Sequence, residues 1–242
     1  MSKSGSPAPR VRDALAPTGK LRVGLNLGGP THVIRDSASG AMKGIGFDLG
    51  TELAKRLGVP IEPVMYASIG QLVDGGRAPE WDIAFVGIDP QRELFLDFTG
   101  CHLELEVGYL LPAGSPIAGF SGVDQPGVRI AVPQKGHADI ILSRALKKAT
   151  LLHGAGIGGA AELLGTGKAD VLSANKANLF ELAQKMPGAR VLDGRIGTEQ
   201  LAMAIPKGRD DGLAYARQFV EEAKSDGLVT AAIERVGLRG AV

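Results

Sequence analysis

The chain is nearly free of cysteine. Cys101 is the only one in 242 residues, which excludes an internal disulfide and a cysteine-built metal cluster; such a residue reads as a small buried hydrophobe. Aromatic residues are scarce, at 5%, so stacking on aromatic rings is not the expected mode of binding. Charge of one sign is also lacking. The 27 Lys and Arg nearly balance the 26 Asp and Glu, for a formal net charge of +1, without the basic excess of a nucleic-acid binder. No apolar run reaches the roughly 18 residues that a membrane span needs. The opening "MSKSGSPAPRVRDALAPTGK" has no apolar core of a secretory signal. The histidines His32, His102, His137 and His153 show no H-x-x-x-H spacing, so no metal is expected.

What is present is an ordinary apolar fraction of 44% in a chain long enough for one large or two small domains. Strand-like runs alternate with amphipathic segments. "KLRVGLNL" (20–27) reads as a strand, and "FDLGTELAKRLG" (47–58) as a helix with Leu49, Leu53 and Leu57 on one face and Gly58 as its cap. "VPIEPVMY" (59–66), the short helix "IGQLVDGGR" (69–77) and the apolar strand "WDIAFVGI" (81–88) follow. After a strand over 105–114 the pattern restarts with "VRIAVPQ" (128–134) and runs through alternating helices and strands to "ARVLDG" (189–194). A strand over 199–208, a long amphipathic helix over 210–227 and a last helix close the chain.

The β-α-β order predicts an α/β fold of two lobes, each a mainly parallel sheet flanked by helices, with the ligand cleft between the lobes. Residues 20–110 plus 200–242 form the expected first lobe and 111–199 the second, with a flexible lead over 1–19. The chain then crosses between lobes twice, which makes a hinge.

Two glycine-rich motifs are decoys. "GAGIGG" (154–159) matches G-x-G-x-x-G, but its helix is short and no acidic residue ends the next strand, so it reads as a flexible strand–helix loop. "GTGKA" lacks the first glycine and the Ser/Thr of a P-loop. No cofactor is expected.

One stretch, "DPQRELFLDFTG" (89–100), places an arginine, Arg92, just after a buried strand. It is either a solvated charge near a helix start or a fork of donors awaiting an anion. Here the chain resembles the family 3 extracellular solute-binding proteins, the amino-acid type of ABC importers. The resemblance rests on "GIGFDLGTELAKRLGV", "GIDPQRELFLDFTG", "GVRIAVPQKGHAD" and "AIPKGRDDGLAYARQFVEEAKSDGLVTAAIERVG", in that order from about 20 to 240. It implies a type II periplasmic-binding-protein-like fold that closes on a small polar ligand, with Arg92 clamping a carboxylate. The second lobe would hold an anion on "KGHAD", where Gly136 turns the backbone and the N–H groups of His137 and Ala138 open a helix.

The chain also departs from the family. Acceptors for a ligand ammonium usually include a Ser or Thr where Gly87 stands and an Asp where Asn175 stands. Losing both weakens the case for an α-amino acid and favours a carboxylate without an α-ammonium, or one whose amine is held differently; Asp89 could rescue an ammonium, though capping its turn is the simpler role. The usual aromatic pair after the first strand is absent too. Asn26 is the candidate there, His32 a weaker one, and Ser68 lies at the corresponding end of the second strand, beside a Tyr66 that suits the core.

The resulting expectation is a non-catalytic, monomeric carrier of a small carboxylate, working with an ABC permease. Family resemblance places it in the periplasm; the lack of a signal sequence leaves the cytoplasm open. The alternatives are a cyclohexadienyl-dehydratase-like enzyme on the same scaffold and a ligand sensor without a transporter. For the enzyme, no carboxylate is obviously placed: Glu104 and Glu106 fall near the hinge strand.

Overall fold

The computed structural model describes residues 7–241 apart from 28, 30, 37 and 38. Residues 1–6 of the expected lead lie outside the described residues. In chain order the elements are α1 (Pro9–Leu15), β1 (Leu21–Asn26), a small hairpin of β2 (Ile34–Arg35) and β3 (Met42–Lys43), α2 (Ile45–Leu57), β4 (Ile61–Tyr66), α3 (Ile69–Gly75), β5 (Ile83–Gly87) and β6 (Leu96–Leu111). Then come β7 (Arg129–Pro133), α4 (His137–Ala145), β8 (Thr150–Gly154), α5 (Gly156–Gly165), β9 (Val171–Asn175), α6 (Lys176–Lys185), β10 (Arg190–Val191), β11 (Gly197–Pro206), α7 (Asp210–Ser225) and α8 (Leu228–Val236).

The chain divides into two compact units. Of the described residues, the first holds those up to Ala67, Gln71–Leu103 and Gln200–Leu238; the second holds Ser68–Gly70, Glu104–Glu199 and 239–241. The boundary therefore falls in β6 after Leu103, not at 110, and the last residues join the second unit rather than the first.

In the first unit the strands run β4-β1-β5-β11, with β1 parallel to β4 and β5 and β11 antiparallel to β5. Every residue of β5 is buried, as its unbroken apolar run requires of a strand covered on both faces. Leu49, Leu53 and Leu57 of α2 are buried, and Gly58 ends the helix in the left-handed conformation (φ 68°). Gly24 makes room for Trp81: a Cβ there would stand 2.9 Å from the indole, whose Nε1 donates to the Leu72 carbonyl at 2.8 Å. The expected lead is in part a helix. Leu15 of α1 is fully buried and packs on α7, where Gly212 is bare enough to receive it. Seven residues carry too little pattern to announce this, because the contact that orders them lies about two hundred positions away.

In the second unit the order is β6-β9-β7-β8, with β7 parallel to β8 and β9, while β9 and β10 run antiparallel to β6. Its strands alternate between two cores. Ile130, Val132, Val171 and Tyr109 pack with Ala138 and Leu142 of α4. Ala131, Leu172, Ala174 and Leu110 pack with Ala160 and Leu164 of α5 and Leu179 of α6. The period of two thus buries both faces, and the strands read as continuous apolar runs.

Candidate functional site

Each unit has a point where two neighbouring parallel strands send their connections to opposite sides. Such switch points gather ligand-binding groups at the strands' carboxyl ends. In the first unit they are β1 and β5, ending at Asn26 and Gly87. In the second they are β7 and β9, ending at Pro133 and Asn175.

In the first unit the chain leaves Gly87 into a turn, not a helix. Arg92 N–H and Glu93 N–H donate to the Asp89 carbonyl at 2.9 and 3.0 Å, and Asp89 Oδ1 accepts from Gln91 N–H at 2.9 Å, so the Asp89 side chain caps the turn. The turn swings Arg92 back toward the end of β5. Its Nη1 donates to the Gly87 carbonyl at 2.7 Å, and the residue is 4% exposed. A solvated surface arginine it is not. That hydrogen bond helps to orient the buried guanidinium fork.

His32 lies close enough to Arg92 to feel its charge. The loop that carries it is held at the start of α2, where Gly46 N–H donates to the Thr31 carbonyl and Phe47 N–H to the His32 carbonyl, both at 3.1 Å. Gly44 is required at this approach, since it has φ 153° and a Cβ would meet the His32 carbonyl at 2.3 Å. Burial first, then Arg92, pushes the His32 ring down to about 4. His102, packed edge-on to Phe85 with ring centroids 5.4 Å apart, is pushed down to about 3 by burial and by the charges of His32 and Lys224. Both imidazoles are therefore neutral at pH 7. Asn26 Oδ1, His32 Nδ1 and both ring nitrogens of His102 are buried without a hydrogen-bond partner among the described residues.

In the second unit Gly136 is the N-cap of α4, with no side-chain cap. Only a glycine fits there, because a Cβ would come within 2.9 Å of the Pro133 carbonyl. His137 and Ala138 open the helix as expected, Ala138 buried and His137 with Nδ1 buried and unpartnered. Asp139, in the first turn, folds back to accept from Lys135 N–H at 2.8 Å and lies 2.9 Å from His153 Nε2. Ser68, grouped with this unit, is half-buried in the bend before α3. Tyr66 is not a core residue: its hydroxyl donates to Glu80 Oε2 at 2.7 Å near the surface.

Asn175 is engaged at both ends of its amide. Oδ1 accepts from Asn178 N–H at 3.1 Å, capping α6, and Nδ2 donates to Glu199 Oε2 at 3.0 Å. Glu199 opens the apolar run of β11 and is 7% exposed. Sequence reasoning passed over it. The available signal was an acidic residue heading "EQLAMAIP" without a basic neighbour.

Among the described residues no helix is long and apolar enough to cross a membrane, and no group of three His, Cys, Asp or Glu side chains could hold a metal ion.

The model of the bacterial extracellular solute-binding proteins, family 3, matches residues 21–237. Three solved structures share the fold. One is a protein from Wolinella succinogenes DSM 1740 complexed with lysine, 26% identical with a TM-score of 0.79, covering 90% of this chain and 95% of that one. The second is a solute receptor for L-cysteine of Neisseria gonorrhoeae, 24% identical with a TM-score of 0.83, covering 93% and 92%. The third is an ancestral amino acid-binding protein, a precursor of cyclohexadienyl dehydratase, 24% identical with a TM-score of 0.81, covering 93% of this chain and 98% of that one. No curated protein matched the sequence.

Proposed function

Because the chain belongs to the bacterial extracellular solute-binding proteins of family 3, we propose that it captures a small carboxylate-bearing molecule, an amino acid or a related organic acid, for ABC-type import. The fold is that of the type II periplasmic binding proteins, and both the family and the solved neighbours are mainly binders rather than enzymes. The observation that carries the reading is Arg92, buried and held by the Gly87 carbonyl at a switch point of the sheet.

A charge-assisted hydrogen bond contributes about 1.5–3 kcal/mol, and micromolar affinity needs about 8 kcal/mol in all. A bidentate clamp on a carboxylate would thus supply a large share. The starting N–H groups of α4, at His137 and Ala138, would add the weaker pull of a helix N-terminus. In this reading the strands that carry the chain between units, β6 and β11, act as the hinge, the protein works outside the cytoplasm as its family does, and a permease receives the ligand.

Titration calorimetry against amino acids, 2-hydroxy acids and 2-keto acids tests the proposal. We expect a binder among them and a loss of roughly 100-fold in Arg92→Ala. Equal affinity in the variant would refute the clamp. The kinship with a dehydratase precursor makes incubation with prephenate and arogenate the matching test for an enzyme; product formation would replace the carrier reading.

A further inference from the structure

Two imidazoles in the first unit are almost wholly withdrawn from solvent with ring nitrogens unpaired. His32 is 5% exposed and His102 is 6% exposed. Nδ1 of His32 and both ring nitrogens of His102 are buried and have no hydrogen-bond partner among the described residues. The rings share their surroundings. His102, on β6, packs edge-on to Phe85 of β5 with ring centroids 5.4 Å apart. Gly46, at the start of α2, faces both that phenyl ring and the His32 backbone: a Cβ there would lie 3.1 Å from Phe85 and 3.4 Å from His32 Cα. Buried polar groups are almost always paired, either with protein or with ordered water. Leaving these nitrogens dry would incur the desolvation cost of each.

The chemistry of the rings narrows what can pair with them. The charges that act on them are cationic, Arg92 on His32 and Lys224 on His102, and together with burial they keep both rings neutral at pH 7. A neutral imidazole has one nitrogen that donates and one that accepts. An anion would satisfy only the donor of His102, and a metal ion only the acceptor. A small molecule that both donates and accepts can satisfy either nitrogen, and water is the smallest of that kind.

We propose that His32 and His102 frame an internal hydration site in the first unit, with ordered water bonded to both ring nitrogens of His102 and reaching Nδ1 of His32. The site lies within one unit and stands independently of the carboxylate-binding reading above.

Water magnetic relaxation dispersion, which detects water held inside a protein, compares wild type with H102F. Phenylalanine keeps a ring against Phe85 but offers no polar atom, so H102F is expected to hold less long-lived water than wild type. An equal amount in the two proteins overturns the site. Thermal unfolding checks that H102F is folded. A high-resolution crystal structure of the wild-type chain tests the same point without a substitution. Density for water within hydrogen-bond distance of both His102 nitrogens is expected. A dry pair of nitrogens, or an anomalous scatterer bound to them, overturns the assignment.

Discussion

Arg22 grips Asp82 three times: its backbone N–H and Nε both donate to Oδ2 at 3.0 Å, and Nη2 donates to Oδ1 at 2.7 Å. Arg129 and Asp170 repeat the arrangement in the second unit, at 2.9, 3.0 and 2.7 Å. In both, the arginine is the first or second residue of a central strand and the aspartate immediately precedes the neighbouring parallel strand. The two units are built on one plan.

The copies differ in exposure, and so in what they contribute. The Asp82 side chain is fully buried and also meets Arg209, whereas that of Asp170 is 37% exposed. Asp82→Ala should destabilise by about 3 kcal/mol, because it strands two partly buried guanidinium groups. Asp170→Ala should cost about 1 kcal/mol, since solvent screens its pair. Urea unfolding of both variants decides the point; equal losses would contradict it.

Acid should weaken the fold through its buried histidines. His32 and His102 stay neutral down to about 4 and about 3 in the folded chain, while unfolded histidine takes a proton near 6.5. Between those values the unfolded state binds more protons, so stability is intact above about pH 6.5 and falls as pH drops through the folded values. The slope is up to about 1.4 kcal/mol per pH unit for each ring. His102→Phe, which keeps a ring against Phe85, should flatten the decline measured from pH 7 to 4.5. An unaltered decline would assign it to other groups.

The "GAGIGG" stretch makes a packing prediction. A Cβ on Gly154 would lie 2.1 Å from the Ala160 backbone nitrogen, whereas Gly158, inside α5, faces open space. Gly154→Ala should cost about 1–3 kcal/mol by overpacking, and Gly158→Ala should gain up to about 1 kcal/mol of helix stability. Thermal midpoints that move in the same direction would refute this account. Gly154 then serves a close strand–helix approach, where the sequence suggested only a pliant loop.

Where local chemistry decides, the sequence was readable. The apolar run of β5, the leucine stripe of α2 and the Gly58 cap all follow from residues within a few positions of each other. Where distant partners decide, it was not. The burial of Leu15 depends on Gly212, and the two roles of Asn175 depend on Asn178 and Glu199. Arg92 stood out by its position in a motif, but that its guanidinium turns back onto Gly87 could come only from the turn geometry of 89–95.

The chain's last residues bear on how the molecule could be labelled. After α8 the backbone joins the second unit, where Gly240 accepts from Glu106 N–H at 3.0 Å, Ala241 bridges to Leu105 and the Arg239 guanidinium lies 4.0 Å over Phe180. A fluorophore carried at the C-terminus would therefore travel with the second unit, although the preceding helices α7 and α8 belong to the first.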